Sequence, residues 1–276
     1  MDERDLNEII AKENKNKLMA LGIAALGLVF MLFHPILGIP FIIAGAVLFF
    51  LSQSRLSKIV GRTVALKVLS RHIEDLSFDQ EGGFSDELID SVYMGFPAYD
   101  SIKCGDHIKG RYKGRDLELC DLELTETRVV KSGKTTRTEH VTVFQGPYVC
   151  ITYDKEINDP VTVTENGSFF NRDNLVKTES EEFNRRFKIY CSSEHDAFYI
   201  ITPHMMERIE EIYERAEHEI FLNFCNDGHI YMAVDNRHDS FELSLMDKEA
   251  GSIEDRFEKE LQYLLSLIDE LSEGFR

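Results

Sequence analysis

Three groups of residues in this chain have the types that chemistry uses. The run Ser132-Gly133-Lys134-Thr135 ends like a phosphate-binding loop, in which backbone N–H groups cradle phosphates and a lysine reaches them. Such a loop needs a glycine five residues before Gly133, where this chain has Arg128, and a helix afterwards, where the alternation reads as strand. His218, Cys225 and His229 are zinc-ligand types. A two-residue turn at Asp227-Gly228 would set Cys225 and His229 on opposite faces of a hairpin, so they could not converge on one ion. Asp235, His238 and Asp239 could serve as acid, base or ligand, but they sit in a polar loop of routine composition with no nucleophile at recognisable spacing. These residues assign no catalytic residue, no metal site and no cofactor.

One basic cluster stands apart from the apolar segment described below. Arg128, Lys131, Lys134 and Arg137 read as a strand-connecting loop, whose plain reading is a solvated surface. Beside an anionic bilayer each of these side chains would contribute about 1 kcal/mol by touching head groups. Glu207, Glu210, Glu211, Glu214 and Glu217, with Arg208 and Arg215, read as the wet face of a helix.

The segment that must position everything else is apolar. Leu18 to Leu51 contains no Asp, Glu, Lys or Arg and is interrupted only by His34-Pro35. As one straight helix it would span roughly 50 Å, against about 30 Å of hydrocarbon. Proline disfavours helix for the residue before it and donates no backbone bond, so His34-Pro35 is the natural turn. The run becomes a hairpin of two arms, Leu18 to Phe33 and about Ile36 to Leu51. Small residues in both arms (Ala20, Gly22, Ala24, Ala25, Gly27; Ala44, Gly45, Ala46) allow close helix approach. Lys12, Lys15 and Lys17 precede the first arm, Arg55, Lys58, Arg62 and Lys67 follow the second, and the turn has no basic residue. That bias places both termini in the cytoplasm. Ala44-Gly45-Ala46 imitates a signal-peptidase site, but apolar sequence continues past it and the preceding segment carries five acids against four bases.

Composition agrees with that address. The chain has 49 acidic and 31 basic residues, a net charge of −18, and nearly all the excess lies beyond the apolar run. A surface this acidic repels nucleic acid. Cys104, Cys120, Cys150, Cys191 and Cys225 are odd in number, scattered and free of CxxC spacing, as expected of reduced cytoplasmic thiols.

Beyond the hairpin, helical spacing covers Leu56 to Leu76 and a short helix covers Ser85 to Met94. From His107 the period changes to two. A turn at Lys113-Gly114 pairs Tyr112 with Arg115, Arg111 with Asp116, Gly110 with Leu117, Lys109 with Glu118 and Ile108 with Leu119. Two opposed ion pairs, Lys109–Glu118 and Arg111–Asp116, then specify the register. The apolar face moves by one residue between Leu119 and Leu122, predicting a bulge near Cys120. Strands follow at Glu139 to Gln145, Tyr148 to Tyr153 and Val161 to Val163, with Gly146-Pro147 as a break. Ser180 to Arg186 reads as a helix before a strand at Phe187 to Cys191. Thr202-Pro203 starts a helix running to about His218. The Asp227-Gly228 turn pairs Cys225 with Ile230 and Phe224 with Tyr231 in a hairpin apolar on both faces, with Ser252 to Leu271 as a covering helix.

Several motifs resemble those of the bacterial membrane-protein family designated domain of unknown function 3137. They are Gly105-Asp106-His107-Ile108-Lys109-Gly110-Arg111-Tyr112, Phe144-Gln145-Gly146, Glu182 to Tyr190, Thr202-Pro203-His204-Met205-Met206 and Phe241-Glu242. The resemblance spans most of Leu56 to Leu245. It implies N-terminal membrane helices joined to a cytosolic α+β domain, and it carries over no catalytic residue.

The expected architecture is α+β: a cytosolic segment over 1–17, a transmembrane helical hairpin over 18–52 with its turn at His34 and Pro35, and a cytosolic domain over 53–276 with a mainly antiparallel sheet and covering helices. The expected partners are the lipid bilayer and a protein at the cytoplasmic face of a bacterial inner membrane. The expected role is binding or sensing, against the alternatives of a membrane-tethered enzyme or a hairpin that shapes the bilayer.

Overall fold

The computed structural model describes residues 3–33, 35–132, 135–165, 174–238 and 250–275. Its helices are α1 (Glu3–Phe33), α2 (Pro35–Leu56), α3 (Arg62–Leu69), α4 (Asp86–Ser91), α5 (Glu181–Arg186), α6 (Glu194–Ile200), α7 (Pro203–Ala216) and α8 (Ala250–Glu273). A π-helical turn, Ser57–Gly61, joins α2 to α3. The strands are β1 (Glu74–Asp79), β2 (Ser101–Tyr112), β3 (Arg115–Ser132), β4 (Thr135–Thr152), β5 (Val161–Thr164), β6 (Leu175–Val176), β7 (Lys188–Tyr190), β8 (Ile220–Phe224) and β9 (His229–Val234). The chain divides into two compact units, residues 1–71 with 241–261 and residues 72–240 with 262–276. The class is α+β.

In the first unit, α1 and α2 are both long and apolar enough to cross a membrane. The turn falls where proline demands it, with α1 ending at Phe33 and α2 starting at Pro35, a favoured first helical position. His34 lies outside the described residues. Of the small residues expected at the seam, Ala20, Gly27 and Gly45 are buried and Ala24 half-buried, joined by Gly38, whereas Gly22, Ala25, Ala44 and Ala46 are exposed. A Cβ on Gly38 would sit 2.5 Å from the Gly27 carbonyl oxygen, and one on Gly45 would sit 2.7 Å from that of Ala20. The helices therefore approach closely enough for dispersion to act between backbones. Phe30 and Phe41 stack at 5.6 Å between ring centroids. Lys67 of α3 and Arg71 just after it pair with Glu254 and Glu258 of α8, Lys67 Nζ lying 2.6 Å from Glu254 Oε2.

The second unit is built on one nine-stranded sheet in the order β1-β2-β3-β4-β9-β8-β5-β7-β6. Every adjacent pair is antiparallel. The β2–β3 register is the expected one, from Tyr112↔Arg115 to Ile108↔Leu119. Lys113 and Gly114 take φ of 50° and 81°, the left-handed pair that a two-residue hairpin turn requires. Farther along, Gly105↔Asp121 is followed by Ile108↔Leu119, so β2 carries the extra residue of a bulge at Asp106-His107, opposite Cys120. The apolar positions of β3 alternate sides there because both faces are covered. Leu117 and Leu119 are buried on one face, and Cys120, Leu122 and Leu124 on the other.

That second face carries the core cluster. The segment around α4 lays Phe84, Ile89, Val92, Met94 and Phe96 over Cys120, Leu122, Leu124, Phe144, Tyr148, Phe221, Tyr231 and Ala233. Ser85 caps α4 by accepting from the Leu88 N–H. On α7, Thr202 accepts from the Met205 N–H with Pro203 at the first position. The apolar row of α8, Ile253, Phe257, Leu261, Leu264, Leu265, Ile268 and Leu271, is buried throughout.

Five expectations need correction. The helix after the hairpin stops at Leu69, because Glu74–Asp79 leaves helical geometry to pair as β1 with β2. The Ser85 helix spans only Asp86–Ser91, since Val92 turns extended. Gly146-Pro147 does not break β4. Pro147 precedes the first β4–β9 pair, Tyr148↔Ala233, so it lies where the strand has a neighbour on one side only, a position proline tolerates. Arg111 bonds Asp75 rather than Asp116, since β1 brings a carboxylate to the outer side of β2. The fifth concerns β8–β9. Phe224 pairs with Ile230 and Asn223 with Tyr231, one residue out from the expected register. The loop is the three residues Asn226-Asp227-Gly228, with the positive φ of 83° at Gly228, and Cys225 faces His229.

Candidate functional site

The bulge in β2 marks the side of the sheet with the most chemically usable groups. Cys104 pairs with Leu122. Cys120 lies two residues farther along β3 and therefore on the same face. Cys104 is half-buried and Cys120 fully buried. Cys104 packs against the core cluster that contains both Cys120 and Phe84. Gly83 makes that approach possible, because a Cβ there would fall 2.1 Å from Cys104 Cβ. A donating Cys120 S–H holds the Cys104 thiol below its ordinary pKa, assisted by the Phe84 amide and opposed by burial and Asp86. The same contact, with burial, drives Cys120 far up. Cys104 also lines a pocket of about 340 Å³ with Gln80, Lys103, Asp106, Asp121 and Gln145.

Beside the bulge, Glu118 accepts from His107 Nε2 at 2.7 Å and Lys109 Nζ at 2.9 Å. Cys150 sits directly across from Glu118 on one side and Tyr231 on the other. Burial pushes Cys150 and Cys225 each up to about 12, so both stay protonated at neutral pH and are poor nucleophiles. The Cys225 thiol donates to Asn223 Oδ1 at 3.1 Å.

The residues singled out from sequence land as follows. The basic cluster is not a loop, because β3 and β4 continue through it as a two-stranded ribbon, pairing Arg128 with Glu139, Val130 with Arg137 and Lys131 with Thr136. This register puts Arg128 and Arg137 on one face, and the Lys131 side chain lies outside the described ones. Arg128 pairs with Glu126 at 2.7 Å and Arg137 pairs with Glu139, so acids on the same strands offset the two arginines. Lys134 and Gly133 lie outside the described residues, and with them the core of the phosphate-loop imitation.

The register argument against zinc does not survive. The Cys225 N–H donates to the His229 carbonyl at 2.8 Å, which places the two residues opposite each other on one face. Even so, among the described residues no three His, Cys, Asp or Glu side chains gather to hold a metal ion. Asp235 works as an anchor. Its Oδ1 accepts from the Gln145 N–H at 3.1 Å, and its Oδ2 meets Arg237 at 2.9 Å. Arg237 in turn donates to the Thr142 and Val143 carbonyls, while Asp239 lies outside the described residues. The face of α7 read as wet is partly an internal clamp, with Arg208 and Arg215 both holding Glu270 of α8, at 2.9 and 2.6 Å.

The thiol pair escaped sequence reading although its signal was present. The Lys113-Gly114 register, carried past the bulge, brings Cys104 and Cys120 to one face.

Residues 142–273 match the model of a protein family of unknown function, DUF3137. The chain carries a DUF3137 region. It runs from within β4 to the end of α8, so the Gly105 to Tyr112 motif lies before it and the Phe144, Glu182, Thr202 and Phe241 motifs lie inside it. No curated protein matches the chain. Among solved structures, the crystal structure of the mycobacterial trehalose monomycolate transport factor A, TtfA, aligns with a TM-score of 0.40 at 11% identity. The alignment covers 77% of this chain and 96% of that one.

Proposed function

We propose that this chain is an integral protein of a bacterial inner membrane, anchored by the α1–α2 hairpin with both termini in the cytoplasm. In this reading its acidic α+β domain is a binding or sensing module. One observation carries the anchor: the hairpin buries Ala20, Gly27, Gly38 and Gly45 and turns its large apolar residues outward. Ala20 is 1% exposed, whereas Leu18, Leu32, Phe33 and Phe50 are 74%, 84%, 75% and 70% exposed. Each such side chain left in water forgoes roughly 1.5–3 kcal/mol, which lipid would return. Lys12, Lys15 and Lys17 in the first half of α1, and Arg55, Lys58, Arg62 and Lys67 from the end of α2 through α3, support the cytoplasmic orientation. Cys150 and Cys225 held protonated by burial, and an Asp235 carboxylate engaged by the Gln145 N–H and Arg237, support binding over turnover.

Topology is tested with a membrane-impermeant maleimide on intact cells. A cysteine at Leu32→Cys, near the turn, should label, and one at Lys12→Cys should label only after permeabilisation. The reverse pattern would overturn the orientation, and labelling of both in intact cells would remove the anchor. The role is tested by crosslinking and co-purification from native membranes, which should recover a protein partner. Recovery of lipid and monomer alone, together with turnover of a small molecule, would replace the binding module with an enzyme.

A further inference from the structure

We propose that Cys104 and Cys120 form a peroxide-reactive dithiol, in which Cys104 is the attacking sulfur and Cys120 the resolving one. Three features of the fold carry this independently of the membrane reading. The β2–β3 register and the Asp106-His107 bulge set the two side chains on one face, both against the same core cluster. Gly83 lets the backbone lie directly against Cys104, since a Cβ there would fall 2.1 Å from Cys104 Cβ and 3.0 Å from its Sγ. The exposures are unequal in the useful direction. Cys104 lines the pocket at the bulge, and Cys120 is sealed in the core cluster beneath it. An accessible sulfur with donors beside it, backed by a second thiol, is the arrangement that redox-sensing cysteines require.

The other thiols lack this combination. Cys150 and Cys225 face the same side of the sheet, but Cys150 bonds the Tyr231 hydroxyl and Cys225 bonds Asn223. Cys191 donates weakly to the Asp159 carbonyl.

The co-reactant is a hydroperoxide, and the chemistry balances in two steps. The Cys104 thiolate attacks the peroxide, forming an S–O bond as the O–O bond breaks. The leaving oxygen takes a proton and departs as water or alcohol, and sulfur is oxidised by two electrons to the sulfenic acid. Cys120 sulfur then attacks Cys104 sulfur, forming S–S and breaking S–O, with the hydroxide leaving as water on the Cys120 proton. A dithiol reductant reverses the link by exchange. Closing the bond ties β2 to β3 across the bulge, directly against the Gly83 backbone. The oxidised state would therefore read out in the Gly82–Phe96 segment covering the core.

The experiment treats the full chain, purified in detergent micelles, with hydrogen peroxide and maps cysteines by mass spectrometry. Wild type should give a Cys104–Cys120 disulfide that dithiothreitol reverses. Cys120→Ala and Cys120→Ser should accumulate a dimedone-trappable sulfenic acid at Cys104 and over-oxidise it about tenfold faster than wild type. Circular dichroism reports whether each variant is folded, and two different replacements guard against loss of the core. Reaction of Cys104 with iodoacetamide should also titrate below that of the urea-unfolded chain. The proposal fails if Cys104 stays reduced in folded protein while the unfolded chain reacts. It fails equally if peroxide links Cys104 elsewhere, or if over-oxidation is as fast in wild type as in the Cys120 variants.

Discussion

The two halves of the nine-stranded sheet are held by different forces. In the β1–β4 half, β2, β3 and β4 are long, and β1 and β2 keep much of their surface in water. Charge crosses between their neighbours at Lys109–Glu118, Arg111–Asp75 and Lys103–Glu123. In β5 and β7–β9 the strands are short and almost every residue is buried. Packing and a few satisfied polar groups replace ion pairs there. Asn223 donates to Thr162 Oγ1 and the Tyr93 carbonyl, and the buried Asp196 accepts the N–H groups of Asn158 and Asp159. The DUF3137 match begins within β4 and covers the packed half. Charge pairs set which residues face each other at little energetic gain, whereas packing supplies most of the stability and leaves register to the loops.

The largest test of that contrast is truncation. Phe221 is fully buried, with ring contacts at 5.0 Å to Phe96 and 5.8 Å to Phe144. Phe221→Ala should cost about 3–5 kcal/mol by denaturant titration. Equal losses from Phe221→Ala and Lys109→Ala would break the comparison. Next come the two turns. Gly114 and Gly228 both have positive φ with room around them, so alanine at either should cost roughly 1–2 kcal/mol of backbone strain. A markedly greater loss at Gly228 would mean that its loop, and not packing alone, locks the β8–β9 register.

Acid titration probes the carboxylates of the packed half. The Asp159 amide, with His195 and the Asn158 amide, holds the Asp196 carboxyl below its ordinary value against the opposing effect of burial. Its contribution is complete above the unfolded-state value, about 3.9, and is lost as pH falls through the lower folded value. Melting temperature should therefore fall in acid, with a shallower fall for Asp196→Asn. Glu219 runs the other way. Burial raises its carboxyl, helped by Glu165 and Asp235, so its stabilising contribution is present at low pH and lost as pH rises through the folded value. Glu219→Gln should be neutral in acid and stabilising at pH 7. The smallest effect belongs to Arg111, whose pair with Asp75 is half-exposed on both sides. Arg111→Ala should shift stability by no more than about 1 kcal/mol, and less in high salt.

The same contrast explains how much was legible. Opposed charges and left-handed turn residues made the β2–β3 register readable to the residue. Around β8–β9, Phe221, Leu222, Phe224, Ile230, Met232 and Val234 are all apolar, so a slip of one residue leaves the pattern unchanged and the register was misread by one. β1, α6 and the two-residue β6 carry too little periodic sequence to stand out, and the β3–β4 ribbon was taken for a loop because its polar residues resemble one.

The sequence by itself determined the uncharged hairpin with its proline turn, the α+β class, the capped starts of α4 and α7, and the charge-marked register of β2–β3. Each of these depends on residues near one another in the chain, where steric limits and charge act locally. Tertiary structure alone decided which strands flank β5, which acid Arg111 takes, and the meeting of Cys104 and Cys120 with Phe84 at one core cluster. Those contacts join residues distant along the chain, and only the packing of both sheet faces selects among their possible partners.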